Sequence, residues 1–149
     1  MLNEVNSVMK NADCLFTRAQ VQEAIARMAK ELSAQLADTN PIYMSVMNGA
    51  LVVAGELLTQ LHFPLQVDYL HASRYREKLS GGELQWKVEP TIPLLGRTVL
   101  IVDDILDEGD TLVKIREYCL EQGAAKVYSA VLIDKNHDRR HKALLRADV

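Results

Sequence analysis

The sequence predicts an α/β fold: a central, mostly parallel sheet flanked by helices. Two observations carry this. Short apolar runs bounded by Pro, Gly or Asn alternate with longer segments whose apolar residues recur at helical spacing. The elements follow in the order strand, helix, strand, and then again strand, helix, strand.

Residues 1–14 are polar and irregular and read as a loose arm. Thr17 with Gln20 makes a capping box. Val21, Ala24, Ile25, Met28, Leu32 and Leu36 then mark one face of a helix. Asn40-Pro41 ends it, because the residue before proline avoids helical geometry. Ile42 to Met47 is a short apolar run suited to a buried strand. Asn48-Gly49 turns the chain, and Ala50 to Leu61 is again helical in pattern. Pro64 opens a strand from Leu65 to Leu70. Residues 73–82 are polar and charged, end in Gly81-Gly82, and read as a mobile lid loop. Glu83 to Val88 alternates weakly, as a strand returning from that loop. Pro90, Pro93 and Gly96 punctuate a connection to Thr98–Val102, the most strand-like run in the chain. Thr111 to Gln122 is helical with Gly123 as its stop. Lys126 to Ile133 is a last strand.

Composition narrows the function classes. With 48% apolar and 25% charged residues in a chain of 149, the expectation is one globular domain, residues 1–149, rather than a disordered chain. The net charge of −3 gives no support for nucleic-acid binding. No apolar run approaches the roughly 20 residues needed to cross a bilayer, and the first residues lack the apolar core of a secretory signal. Cys14 and Cys119 match no metal spacing and read as reduced thiols of a cytoplasmic protein.

The informative segment is Val99-Leu100-Ile101-Val102-Asp103-Asp104-Ile105-Leu106-Asp107-Glu108-Gly109-Asp110-Thr111. A buried strand runs into a cluster of acids, and Gly-x-Thr then leads into a helix. Ligands of open α/β sheets collect at the carboxyl ends of strands. A helix N-terminus there offers N–H donors and a positive dipole end to an anion. Gly109 allows close backbone approach, and Thr111 adds a hydroxyl. Asp103, Asp104, Asp107, Glu108 and Asp110 would repel a bare phosphate. Clustered acids are tolerated where they bind hydroxyls, hold a divalent cation or take up a proton.

This segment resembles the phosphoribosyl-diphosphate signature of type I phosphoribosyltransferases, in the form found in the hypoxanthine-guanine branch. Other segments agree in order and spacing. Cys14-Leu15-Phe16-Thr17 resembles the branch's opening, and Ser45-Val46-Met47-Asn48-Gly49-Ala50 its pyrophosphate loop. Val67 to Tyr75 resembles its strand and catalytic loop. Leu132-Ile133-Asp134-Lys135 resembles the strand end that carries a purine-contacting lysine.

The resemblance implies the type I phosphoribosyltransferase fold and the transfer of a 5-phosphoribosyl group from phosphoribosyl diphosphate to a 6-oxopurine, with release of pyrophosphate. It implies that Asp103 and Asp104 hold the ribose hydroxyls and a Mg2+ ion that bridges diphosphate and ribose. Asp107 is then the general base at the purine, and Glu108, Gly109, Asp110 and Thr111 wrap the 5-phosphate. Met47, Asn48 and Gly49 hold the pyrophosphate in a loop that often contains a cis peptide. Ser73, Arg74 and Tyr75 lie on a closing lid, and Lys135 reads the purine oxygen. The partners so implied are phosphoribosyl diphosphate, the purine base and the nucleotide product, with no nucleic acid or membrane, in a homo-oligomer (dimer or tetramer). Trp86 reads as a packing residue. His137 and His141, among Arg139, Arg140 and Lys142, read as a solvated basic face.

Three departures from the branch pattern bear on activity. Glu108 and Asp110 add negative charge beside the phosphate. Asn48 stands where many relatives have lysine, which leaves more to magnesium and to Arg74 or Arg76. The sequence stops at Val149, where relatives begin the strand toward their purine pocket, so that segment is expected to be missing. The competing readings are a regulatory protein that binds phosphoribosyl diphosphate or nucleotide with weakened catalysis, a pyrimidine or xanthine enzyme of the same fold, and an aspartate-based phosphotransferase.

Overall fold

The structure is a computed structural model. It describes residues 1–74, 83–135 and 148–149, with Arg74 as backbone only. The elements are α1 (Leu2–Asn11), α2 (Arg18–Leu36), β1 (Ile42–Val46), α3 (Leu51–Leu58), β2 (Gln66–Arg74), β3 (Leu84–Val88), β4 (Thr98–Leu106), α4 (Asp110–Glu121) and β5 (Lys126–Asp134). The sheet order is β3-β2-β1-β4-β5. Every pairing is parallel except β2 with the edge strand β3.

Strand periodicity divides the core between the two faces of the sheet. Ile42, Met44 and Val46 of β1 join Leu70, Val99 and Ile101 beneath Leu112, Val113, Ile115 and Cys119 of α4. Tyr43, Leu100, Val102 and Ala130 point the other way, under Ile25, Met28, Leu32 and Leu36 of α2 and Val53, Ala54 and Leu57 of α3. A fully buried aliphatic of this kind contributes about 1.5–3 kcal/mol. Helices thus cover both faces, as a mostly parallel sheet requires.

Local chemistry sets the helix ends. Thr17 Oγ1 accepts from Gln20 N–H at 3.2 Å while Thr17 N–H donates to Gln20 Oε1 at 2.8 Å, closing the capping box of α2. Gly123, at φ 89°, ends the last turn of α4. Its N–H reaches Leu120 O, and Ala124 N–H reaches Cys119 O, the bond pair of a Schellman turn.

Two sequence expectations change. Within residues 1–14, Leu2–Asn11 form a helix rather than an irregular arm; none of its residues is buried. Its Leu2, Val5 and Met9 stand at helical spacing, a pattern hidden in the sequence by intervening asparagines. β2 also runs through Ser73 and Arg74, so the stretch read as a loop from residue 73 begins as strand, held by the Ser73–Gln85 and Arg74–Leu84 pairs. The rest of that stretch, residues 75–82, lies outside the described residues, as do Arg139, Arg140, Lys142, His137 and His141. At the opposite sheet edge, Val149 N–H bonds Ser129 O and Val149 O accepts from Val131 N–H, both at 3.0 Å. The Asp148 carboxylate accepts from Ser129 N–H and Arg116 beside it.

Candidate functional site

β4 carries the site because it outruns its neighbour. β1 ends at Val46, and its last pairing with β4 is Ser45 with Val102. β4 continues to Leu106, still paired on its other edge with β5 at Asp103–Val131, Ile105–Ile133 and Leu106–Asp134. Asp103 and Asp104 therefore belong to the strand, which corrects the expected boundary at Val102. The unbroken apolar run stops at Val102, but the backbone bonds to β5 continue to Leu106.

Residues 47–50 fill the space past the end of β1. The Met47–Asn48 peptide is cis. The loop is pinned by Met47 N–H on Leu70 O at 2.8 Å, Ala50 N–H on Val46 O at 3.1 Å and Leu51 N–H on Asn48 O at 3.1 Å. Gly49 then comes against the side chain of Asp104. A Cβ at Gly49 would lie 2.8 Å from Asp104 Oδ1 and 3.0 Å from Oδ2. Glycine is needed here for close approach, not for a left-handed backbone.

Beyond β4 the chain turns into α4 at Gly109, whose φ of 89° is left-handed. Gly109 has no side chain to cap the helix. The first N–H groups of α4 have no intrahelical acceptor and sit at the positive end of the helix dipole.

These pieces enclose one cavity of about 710 Å3, a size suited to a small ligand. Met47 and Gly49 line it from the first loop, Ser73 from the end of β2, and Asp103 and Asp104 from β4. Asp107, Glu108, Gly109, Asp110 and Thr111 line it from the turn. Asn48 and Lys135 are not in its wall. Lys135 is placed by its N–H on Leu106 O at 2.9 Å, and its Nζ lies 3.4 Å from Asp107 Oδ2, with both side chains half exposed. Arg74 ends β2, and Tyr75 lies outside the described residues. Sequence reasoning did not single out the apolar wall residues that strands supply, among them Val46, Ala72, Leu106 and Val131. Each sits near the carboxyl end of a strand, and that position was the available clue.

Burial, followed by a hydrogen bond shared with the Asp104 side chain, pushes the Asp103 carboxyl up to about 7; the Asp104 N–H, 2.8 Å from Asp103 Oδ1, pulls the other way. Both adjacent acids line the cavity, where carboxylate oxygens can accept from hydroxyl groups. Among the described residues no three or more His, Cys, Asp or Glu side chains converge to hold a metal ion, and no helix is long and apolar enough to cross a membrane.

Residues 13–145 match the model of the phosphoribosyl transferase domain. The chain belongs to this family. It is similar to the hypoxanthine-guanine phosphoribosyltransferase of Streptococcus pneumoniae R6, 30% identical over 92% of this chain and 73% of that protein. It is also 30% identical to the hypoxanthine-guanine-xanthine phosphoribosyltransferase of Tritrichomonas foetus, over 91% of this chain and 71% of that protein. The crystal structure of a hypoxanthine phosphoribosyltransferase from Staphylococcus aureus superposes with a TM-score of 0.84 at 24% identity, covering 96% of this chain and 78% of that one. Family, enzyme class and fold all agree with the resemblance carried by Val99 to Thr111.

Proposed function

We propose that this phosphoribosyltransferase serves purine salvage by moving the 5-phosphoribosyl group of phosphoribosyl diphosphate to a 6-oxopurine, hypoxanthine or guanine. One observation carries the site assignment. The acid pair of β4, the close-approach loop at Gly49 and the N-terminus of α4 open into one cavity.

In this reading the amides from Glu108 to Thr111, through the turn at Gly109 into the start of α4, take the 5-phosphate. Asp103 and Asp104 accept from the ribose 2- and 3-hydroxyls and place negative charge beside a sugar that turns cationic in the transition state. Met47 and Gly49, which line the cavity, face the diphosphate, in a loop that Asn48 completes behind the wall. The C1–O bond to diphosphate breaks as a C1–N bond to the purine forms. Asp107 takes the purine proton, and its neighbour Lys135 donates to the purine O6. Ser73 lines the cavity from the end of β2.

Asp103 and Asp104 are hard oxygen donors and fit Mg2+. Two carboxylates suit an ion that arrives with its phosphates, and among the described residues no larger cluster of acids, His or Cys converges to cage one. When bound, magnesium would neutralise charge on the leaving diphosphate. A cytoplasmic location is supported by the two unbridged thiols, Cys14 and Cys119. A homo-oligomer, dimer or tetramer, is supported by the bare outer face of the sheet edge, where Val67 and Tyr69 are about half exposed beside Val88.

The test is turnover: hypoxanthine or guanine with phosphoribosyl diphosphate and Mg2+ is expected to give nucleotide and pyrophosphate. Asp107→Asn should lower kcat by about 10²–10⁴-fold with much smaller changes in KM. Tight phosphoribosyl diphosphate binding without turnover of any purine would instead select the regulatory reading.

A further inference from the structure

Trp86, the chain's only tryptophan, stands behind the cavity wall. On β3 it pairs cross-strand with Ala72, and the next pair is Gln85 with Ser73; Ala72 and Ser73 both line the cavity. Its ring meets Tyr118 of α4 with centroids 4.6 Å apart and planes inclined by 52°, a favourable tilted pair. Both rings pack on the core that holds Ala72 together with Leu112 and Val113 of the first turn of α4.

The two ends of the β2–β3 pair are secured differently. At the end remote from the cavity, the buried Asp68 carboxylate accepts from Thr91 and Ile92 N–H groups, each at 2.8 Å. A register shift between His71 and Ala72 separates that end from the cavity end. Past this bulge, the Trp86–Tyr118 contact joins the strand pair to α4. A bulge bends and loosens a ladder, so the cavity end relies on what packs beyond it.

We propose that Trp86, acting through Tyr118, is a positioning residue for the phosphoribosyl site: it sets the separation between the Ser73 end of β2 and the N-terminus of α4 across the cavity. The inference rests on the reading of that cavity as the sugar-phosphate site.

The experiment titrates ribose 5-phosphate into the full chain by calorimetry. Trp86→Leu and Tyr118→Leu are each expected to weaken binding by roughly 2- to 12-fold, the range to which an aromatic pair converts, while Trp86→Phe restores it to within about 2-fold. In turnover the KM for phosphoribosyl diphosphate rises with kcat nearly unchanged. In the unaltered chain, Trp86 emission shifts along the same binding curve that calorimetry gives. A folded Trp86→Leu protein with unaltered affinity overturns the proposal. So does an emission that stays constant while calorimetry records binding, a measurement that needs no variant to fold. If the unaltered chain binds no ribose 5-phosphate, the reading of the cavity itself fails, and this inference fails with it.

Discussion

Gly49→Ala isolates the placement of one carboxylate. The added Cβ would stand 2.8 Å from Asp104 Oδ1 and 3.0 Å from both Cγ and Oδ2. Ordinary contact begins near 3.5 Å, so the two groups must part by roughly 0.5–0.7 Å. The loop cannot easily retreat: Met47, Ala50 and Leu51 N–H groups are all bonded, and Ala50 is fully buried. The carboxylate, at the end of a short side chain, moves instead. Misplacing a reacting group by 1 Å can cost about 10²-fold, so about half that shift predicts roughly a tenfold loss in kcat/KM for phosphoribosyl diphosphate. Stability should hardly change, because Gly49 is not at positive φ and an alanine there restricts the unfolded chain by about 0.4–1 kcal/mol in the protein's favour. Steady-state kinetics and a thermal melt on the same preparation decide it. A double-mutant cycle sharpens the test: once Asp104→Ala has removed the carboxylate, Gly49→Ala should cost almost nothing further. Undiminished kcat/KM, or full additivity in the cycle, would refute the reasoning.

Lys135→Ala breaks a half-exposed ion pair with Asp107. It should cost under about 1 kcal/mol in stability while narrowing the preference for 6-oxopurines over adenine, measured as a ratio of kcat/KM values; an unchanged ratio removes Lys135 from base recognition. Alkaline unfolding gives a further prediction. Burial pushes the Cys119 thiol up to about 11, from an ordinary value of 9.0. The folded state thus resists ionisation that the unfolded state permits, so the contribution is complete below pH 9 and is lost as pH rises toward 11. Buried Tyr43 shifts in the same direction. Denaturant titrations from pH 8 to 11 should show stability falling above pH 9, less steeply in Cys119→Ala; identical slopes would show that the thiol does not contribute.

The sheet and its helices were legible because strand and helix periods differ and because each cap has its own chemistry: Thr17 with Gln20, and Gly123. Of the candidate site, the acids and glycine of Asp103 to Gly109 were legible as a cluster at a strand end, and the structure brings them to one cavity. Two things were not. The helix at Leu2–Asn11 buries nothing, so its sparse apolar residues gave a weak pattern. The extension of β4 through Leu106 depends on pairing with β5, a tertiary fact that no local apolar run announces.

That extension explains why the acids can work together. Had β4 ended at Val102, Asp103 and Asp104 would sit on a loop, free to separate under mutual repulsion. On the strand, the β5 ladder fixes the backbone from which both side chains reach the cavity. Asp104 turns toward Gly49 and the loop past β1, while burial raises the Asp103 carboxyl. The early end of β1 opens the room into which both reach. The charge cost of two adjacent carboxylates is thus offset by backbone bonds made elsewhere, and their separation is set by strand geometry rather than by the ligand. A site built on a rigid element holds its reacting groups in place before substrate arrives, which is why a single methyl group at Gly49 is the sharpest perturbation available.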